Sequence, residues 1–220
     1  CMPLPEDEES WGEMYVMFAT ASGNVRRNRL SDFVNVKANG KIAMKLDEGD
    51  RLVSVRVCEE PHDVLLASAG GKAVRFPVTD VRVFKGRDST GVRGIRLGKG
   101  DQVISMSILR HVDVTIDERE AYLRYATQKR RNGADEAGEG HGEGSGGELD
   151  PARLAELEDN EEMLLTVADD GYGKLTPAYE YRITSRGTQG ITSMDLARAK
   201  AQPQVNAAFP VDMKDQLMLV

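Results

Sequence analysis

"STGVRGIRLGKGD" (Ser89–Asp101) and its echo "SRGTQGITSMD" (Ser185–Asp195) decide how this chain is read. Both hold two glycines three apart, followed by alternating apolar and polar residues; the first then meets a second glycine turn, Gly98 to Gly100. An outline that returns is architecture before it is an active site, so repeats come first.

Three segments align: Met14–Glu60, Asp63–His111, and a third from Met163. "GKIAMKLDEGDRLVSV" (40–55) matches "GVRGIRLGKGDQVISM" (91–106) without a gap at an offset of 51, and Gly23 and Gly71 stand 48 apart. Gly171 takes their place in the third copy, and a fourth begins at Gln216. Each copy opens with an apolar run of β-formers (Tyr15 to Ala19, Val64 to Ala67, Leu164 to Val167). A glycine turn, a strand with basic residues, a longer connection and the G-x-x-G turn follow, then one or two alternating strands. Four short strands in a repeat of about 50 residues form a blade of a radial β architecture. The expected fold class is all-β. One blade cannot bury both its faces, so neighbours must stack on it.

Residues 112–162 interrupt this period. Ile116 to Arg131 places acids first and bases last, which suits a helix dipole. "NGADEAGEGHGEGSGGE" is Gly/Glu-rich low complexity and reads as flexible. Asp150 then precedes Pro151 as an N-cap precedes the first helical residue. The expected division is 1–111, two blades behind an acidic loop; 112–162, an insertion of helix and linker; and 163–220, a third blade and the start of a fourth. The sequence reads as a piece of something longer.

The formal net charge of -7 is unevenly spread. Residues 1–13 carry -5, residues 14–111 carry +7, residues 112–162 carry -9, and 163–220 balance. Hydrophobic residues make up 40% but aromatics only 5%, which leaves few rings for a protein-binding face. Cys1 and Cys58 are too few for a disulfide framework or zinc site, so a reducing, cytoplasmic location is expected. No apolar run approaches the roughly 20 residues of a membrane helix, and no signal-peptide pattern is present.

The glycine pairs Gly91/Gly94 and Gly187/Gly190 could cradle a phosphate, but recurrence favours turns that need positive φ. The phosphate-loop pattern G-x-x-x-x-G-K-[ST] is absent, since "ADDGYGKLT" lacks its first glycine. Basic residues say more. Arg26, Arg27 and Arg29 follow the first turn, Lys72 and Arg75 the second, and Lys174 the third. Arg82, Lys85, Arg87, Arg93 and Arg96 cluster within fifteen residues. Repeated placement after equivalent turns predicts a positive stripe that neutralises phosphates of a bent duplex. No recognition helix or β-ribbon is evident, so backbone contact and bending should outweigh base readout.

Catalytic constellations are not found. His62, His111 and His141 are scattered, and neither H-E-x-x-H nor G-x-S-x-G occurs. Tyr122, Tyr125, Tyr172, Tyr179 and Tyr181 read as packing or loop residues, and "EDEES" (Glu6–Ser10) as a solvated loop.

"VMFATASGNVRRNRLSDF", "GKIAMKLDEGDRLVSV", "STGVRGIRLGKGDQVISM", "DGYGKLTPAYEY" and "SRGTQGITSM", in this order and spacing, resemble the C-terminal, DNA-wrapping domains of the DNA gyrase A family. The resemblance implies a β-pinwheel, a propeller-like disc whose basic rim wraps double-stranded DNA so that ATP-driven strand passage introduces negative supercoils. The rim residues it implies are Arg26, Arg27, Arg29, Lys72, Arg75, Arg82, Lys85, Arg87, Arg93, Arg96, Lys174 and Arg186. It also implies partners in an A2B2 holoenzyme, namely the gyrase B protein with a second copy of gyrase A, in a bacterial cytoplasm and with no membrane. Strand cleavage, ATP and Mg2+ would act in other parts of that holoenzyme, leaving no cofactor here. The family's Q-R-R-G-G-x-G wrapping box is absent from these 220 residues, and "QKRRNGADE" (Gln128–Glu136) is only an echo of it. The alternative readings are a protein-binding propeller and the related C-terminal domain of topoisomerase IV. The insertion is open to partner binding, shielding of the rim, or tolerated length.

Overall fold

In the computed structural model, residues 4–34, 39–40, 42–135, 149–197 and 203–216 are described, the side chains of 132–135 excepted. The fourth copy beyond Gln216, His141, Cys1 and most of the Gly/Glu tract lie outside them. The elements in order are β1 Tyr15–Thr20, β2 Asn24–Arg29, β3 Leu52–Cys58, β4 His62–Ser68, β5 Lys72–Pro77, β6 Val92–Arg93 and β7 Val103–Arg110. Then come α1 Ile116–Asp135, α2 Pro151–Asp159, β8 Met163–Ala168, β9 Gly173–Pro177, β10 Ile191–Thr192 and β11 Val205–Val211.

Each repeat supplies a hairpin around its glycine turn: β1 with β2, β4 with β5, β8 with β9. The next strand of the copy returns to the other side of the hairpin's first strand, giving β3 on β1, β7 on β4 and β11 on β8. The fourth strand comes from elsewhere. β6, cut from "STGVRG" of the second repeat, pairs with β2 of the first, and β10, from "RGTQGITS" of the third, pairs with β5 of the second. The sheet orders are thus β3-β1-β2-β6, β10-β5-β4-β7 and β11-β8-β9. The G-x-x-G segment closes the blade before its own, so neighbouring repeats are tied by backbone hydrogen bonds as well as by packing.

The glycines are what this close approach needs. Gly91 (φ +87°) and Gly190 (φ +71°) lie in the left-handed region. A Cβ on either would overlap a carbonyl oxygen of the receiving strand, Val25 or Ala73 respectively. Matching bonds recur at the junctions: Gly94 N–H to Gly23 O (2.8 Å) and Ser193 N–H to Gly71 O (2.8 Å). Phe84 N–H to Arg27 O (2.8 Å) and Thr184 N–H to Arg75 O (2.9 Å) form a second such pair. The second glycine turns place an aspartate over the hairpin turn: Ser22 Oγ donates to Asp50 (2.6 Å), and Ser68 Oγ to Asp101 (2.7 Å).

β1 and β4 read as continuous apolar runs because both their faces are covered. Val64 and Leu66 of β4 face the first blade and pack with Met17, Val25, Phe76, Ile95 and Met106. Leu65, on the opposite face of β4, packs with Leu109, Leu164, Ala178 and Tyr181 toward the third blade. The outer face of the first blade is covered by Trp11, Leu30 and Met44 against Val16 and Phe18. Residues read as an acidic loop therefore include a one-turn 3-10 helix, Glu8–Gly12, which buries Trp11.

The segment between the second and third repeats is helical at both ends. Asp150 caps α2 by accepting from Arg153 N–H, with Pro151 in the first turn. α1 and α2 share a small core of Tyr122, Ala126 and Leu157, to which the third repeat adds Tyr179. Tyr179 Oη donates to Leu157 O (3.1 Å), and its ring meets Tyr122 edge-on at 5.0 Å. Tyr122, Tyr179 and Tyr181 are buried, whereas Tyr172 is exposed.

Candidate nucleic-acid interface

The twelve basic residues singled out in the sequence do not share one environment. Arg29, Lys72, Arg82, Lys85, Arg93, Arg96 and Lys174 are exposed, and Arg87 and Arg186 are half-buried. Arg26, Arg27 and Arg75 are buried, which corrects their assignment to the rim: a guanidinium inside the fold presents no donor to a duplex.

Their partners explain the burial. Arg75 donates through Nε and Nη2 to Asp63 (both 2.8 Å), through Nη1 to Ala178 O (3.0 Å), and also through Nη2 to Arg110 O (2.8 Å). Asp63 is fully buried, and its other oxygen meets His111 Nδ1 at 2.7 Å; His111 Nε2 reaches Asp113 at 3.1 Å. Partial burial lowers the His111 pKa, but the bonds to Asp63 and Asp113 outweigh it and the net shift is upward. This network ties the second blade to the third and anchors the chain where it leaves for α1. Arg27 lies 4.6 Å over the Tyr15 ring, with Glu60 at 3.8 Å. Arg26 donates from Nε to Asn28 Oδ1 (2.9 Å) and from Nη1 to Ser89 O (2.7 Å).

Several of the exposed residues lie on or beside the donated strands, whereas Arg29 is at the far end of β2, opposite Tyr15. Arg93 sits on β6 opposite Asn24, and Lys72 at the start of β5 opposite Thr192 of β10, to whose hydroxyl its ammonium donates (2.9 Å). Arg82, Lys85 and Arg87 occupy the connection that leads into β6, with Arg82 stacked 4.1 Å over Phe84. Successive G-x-x-G turns dock on each other: Gly187 N–H donates to Gly94 O, and Arg96 N–H to Thr188 O (2.8 Å). Arg186 is spent on this junction, donating to Asp80 O (2.9 Å) and Arg93 O (3.0 Å). Lys174 turns to Ser193 O (3.3 Å), and Arg29 to Gly12 O (2.9 Å). Exposed Arg182 extends the row, in the place that Arg82 holds one repeat earlier. The alignment of "VRVF" (81–84) with "YRIT" (181–184) carried that signal, but sequence reading passed over it.

Such an edge offers fixed positive charge to an extended anion. Burial pushes the Cys58 thiol up to about 12, so it is no nucleophile at neutral pH. Among the described residues no group of three or more His, Cys, Asp or Glu could hold a metal, and no helix is long and apolar enough to cross a membrane.

The family model for the DNA gyrase C-terminal domain, a β-propeller, matches residues 15–59, 62–110 and 162–198. The chain belongs to this family. Its matched segments are the three repeats, and the helical segment between the second and third falls outside them. The DNA gyrase A protein of Granulibacter bethesdensis is 50% identical over the whole chain, which covers 24% of that protein. The DNA gyrase A protein of Escherichia coli K12 is 32% identical, again over the whole chain and 19% of its own length. The chain thus spans about a quarter or less of the length of the curated gyrase relatives it matches. Among solved structures, a topoisomerase IV C-terminal domain aligns with TM-score 0.64 at 15% identity, covering 96% of this chain and 53% of its own. That likeness shows the shared fold. The gyrase relatives, far closer in sequence, separate this gyrase-family chain from the topoisomerase IV alternative.

Proposed function

We propose that this chain wraps duplex DNA as the C-terminal part of a gyrase A protein. The observation that carries the reading is the row of exposed Arg82, Lys85, Arg93, Arg96 and Arg182 along the docked G-x-x-G junctions. Phosphates spaced along a bent duplex would meet one charge after another, releasing counterions at each contact. Contacts of this kind position the duplex without reading its sequence. The wrap would present a second DNA segment with one handedness to the cleavage machinery of a type II topoisomerase. The gyrase B protein, a second copy of gyrase A, ATP and Mg2+ would act there, in a bacterial cytoplasm and outside the residues described.

Ligating a nicked circle in the presence of the full-length protein tests this. A wrap leaves a one-signed change of linking number that grows with protein. Replacing Arg82, Arg93, Arg96 and Arg182 together by alanine should abolish it. A linking number indifferent to the protein, or to that substitution, speaks against the reading.

A further inference from the structure

The first repeat spends two buried polar side chains on something its neighbour does without. Arg26 and Asn28 of β2 are fully buried and bonded to each other. At the matching positions of β5 the second repeat has Val74 and Phe76, buried and apolar. The register is the same in both hairpins, Phe18 opposite Arg26 and Leu66 opposite Val74. The second repeat thus has an apolar pair at these places and the third has Lys174 and Thr176, so the buried guanidinium is particular to the first blade, and burying it is unfavourable unless something compensates.

What the pair holds is the connection 84–89. Asn28 Nδ2 donates to Phe84 O (2.8 Å) and Gly86 O (3.1 Å), and Arg26 Nη1 to Ser89 O (2.7 Å). The Arg26 guanidinium also lies 5.2 Å from the Phe84 ring centre. Three of six carbonyls in "FKGRDS" are thus fixed from inside the blade, with Lys85 exposed and Arg87 half-buried between the fixed points. In the next repeat the corresponding connection is one residue shorter and is anchored by Arg186 instead.

The charges around this connection are not balanced from within. Arg26 Nη2 and Arg87 Nη1 are buried with no hydrogen-bond partner among the described residues. Burial lowers the Arg26 pKa, Asp88 opposes that shift and Arg87 adds to it. Two guanidinium groups brought together beside one carboxylate leave positive potential that an arriving anion relieves.

We propose that Arg26 and Asn28 are positioning residues that set the 84–89 connection as a phosphate-gripping loop, with Lys85 and Arg87 as the side chains that meet the DNA backbone. This rests on the DNA-binding reading above. It gives Arg26 a task other than the rim contact that its position in the sequence suggests.

The test uses the full-length protein and a mixed-sequence duplex followed by anisotropy across a salt series. R26V/N28F, which copies the second repeat, is compared with K85A/R87A and with the fourfold variant that combines these two pairs, R26V/N28F/K85A/R87A. Each phosphate contact contributes about 0.9 to the slope of log affinity against log salt. R26V/N28F should lower the slope by about 1.8, as K85A/R87A does, and the fourfold variant should go no lower. If R26V/N28F unfolds, Asn28→Ala carries the same comparison with the loop substitutions. A steep slope that R26V/N28F or Asn28→Ala leaves intact overturns this inference alone, as does full additivity with the loop substitutions. A flat slope in the unaltered protein overturns the DNA-binding reading, and this inference with it.

Discussion

Arg27 and Arg75 hold the same place in consecutive repeats and are buried by different partners. Forty-eight residues separate them, as they separate Tyr15 from Asp63. In the first blade the guanidinium lies over the Tyr15 ring; in the second it is clamped by the Asp63 carboxylate. The third repeat puts Leu175 and Met163 at these places. A basic residue after a glycine turn looks alike in sequence whether it faces solvent or an aromatic ring. The partner that buries it lies twelve residues upstream, on the other strand of the hairpin. That is why the sequence points Arg27 and Arg75 outward and the structure turns them in; Arg26 is turned in by Asn28 and Ser89 instead. Replacing Arg75 by methionine strands Asp63 and should cost about 3–5 kcal/mol in denaturant unfolding, the range for breaking one partner out of a buried ion pair. A loss under about 1 kcal/mol, the range of exposed ion pairs, would mean the clamp is not closed in solution. His111 gives the same network a pH dependence. Its pKa is raised on folding, so its contribution is present in full below its ordinary value of about 6.5 and is lost as pH rises through the folded value. The unfolding midpoint should therefore drop as pH rises above about 6.5, and His111→Gln should flatten that drop.

At the scale of elements, the strand hairpins were legible because apolar runs of β-formers bracket glycines at a fixed interval. The donated strands were not. β6 and β10 are two residues long, too short for any alternation to announce them, and only pairing shows which blade they serve. The two G-x-x-G motifs are three residues out of register in the structure: Gly91, first of its pair, and Gly190, last of its own, hold the equivalent left-handed place beside the donated strand. Gly91→Ala should destabilise by more than about 2 kcal/mol, since it combines an unfavourable φ with overlap on Val25 O. Gly98→Ala, which has open space and no left-handed φ, should stay within about 0.5 kcal/mol. Equal effects of the two changes would argue against strand donation. The helical segment, which shares its core with Tyr179 of the third repeat, is expected to open as its own unit. Leu157 is fully buried between α1, α2 and Tyr179, so Leu157→Ala removes a packed side chain at about 2–5 kcal/mol. Hydrogen exchange should then quicken in α2 while β4 and β5 keep their protection. Loss of protection across all strands would show that the segment is integral to the blades.

For the molecule as a whole, the net charge of -7 hides a division that the repeats make visible. Acidic residues crowd the first thirteen positions and the helical segment, and basic ones line the junctions between blades. In the helical segment part of the acid is paired internally, Lys129 with Glu158 at 2.6 Å and Arg153 with Glu118 at 3.0 Å. The edge formed by Arg82, Lys85, Arg93, Arg96 and Arg182 has no comparable set of carboxylate partners among the described residues. Charge on this edge, four of its five residues from the second repeat and Arg182 from the third, is what the proposed wrap depends on. The most direct measurement is the affinity of the full-length protein for a mixed-sequence duplex over a salt series, repeated with Arg82, Arg93, Arg96 and Arg182 all changed to alanine. A steep negative slope of log affinity against log salt, made shallower by up to about 3.6 in the variant, is the result expected if all four residues neutralise phosphates. An identical slope for both proteins would contradict it.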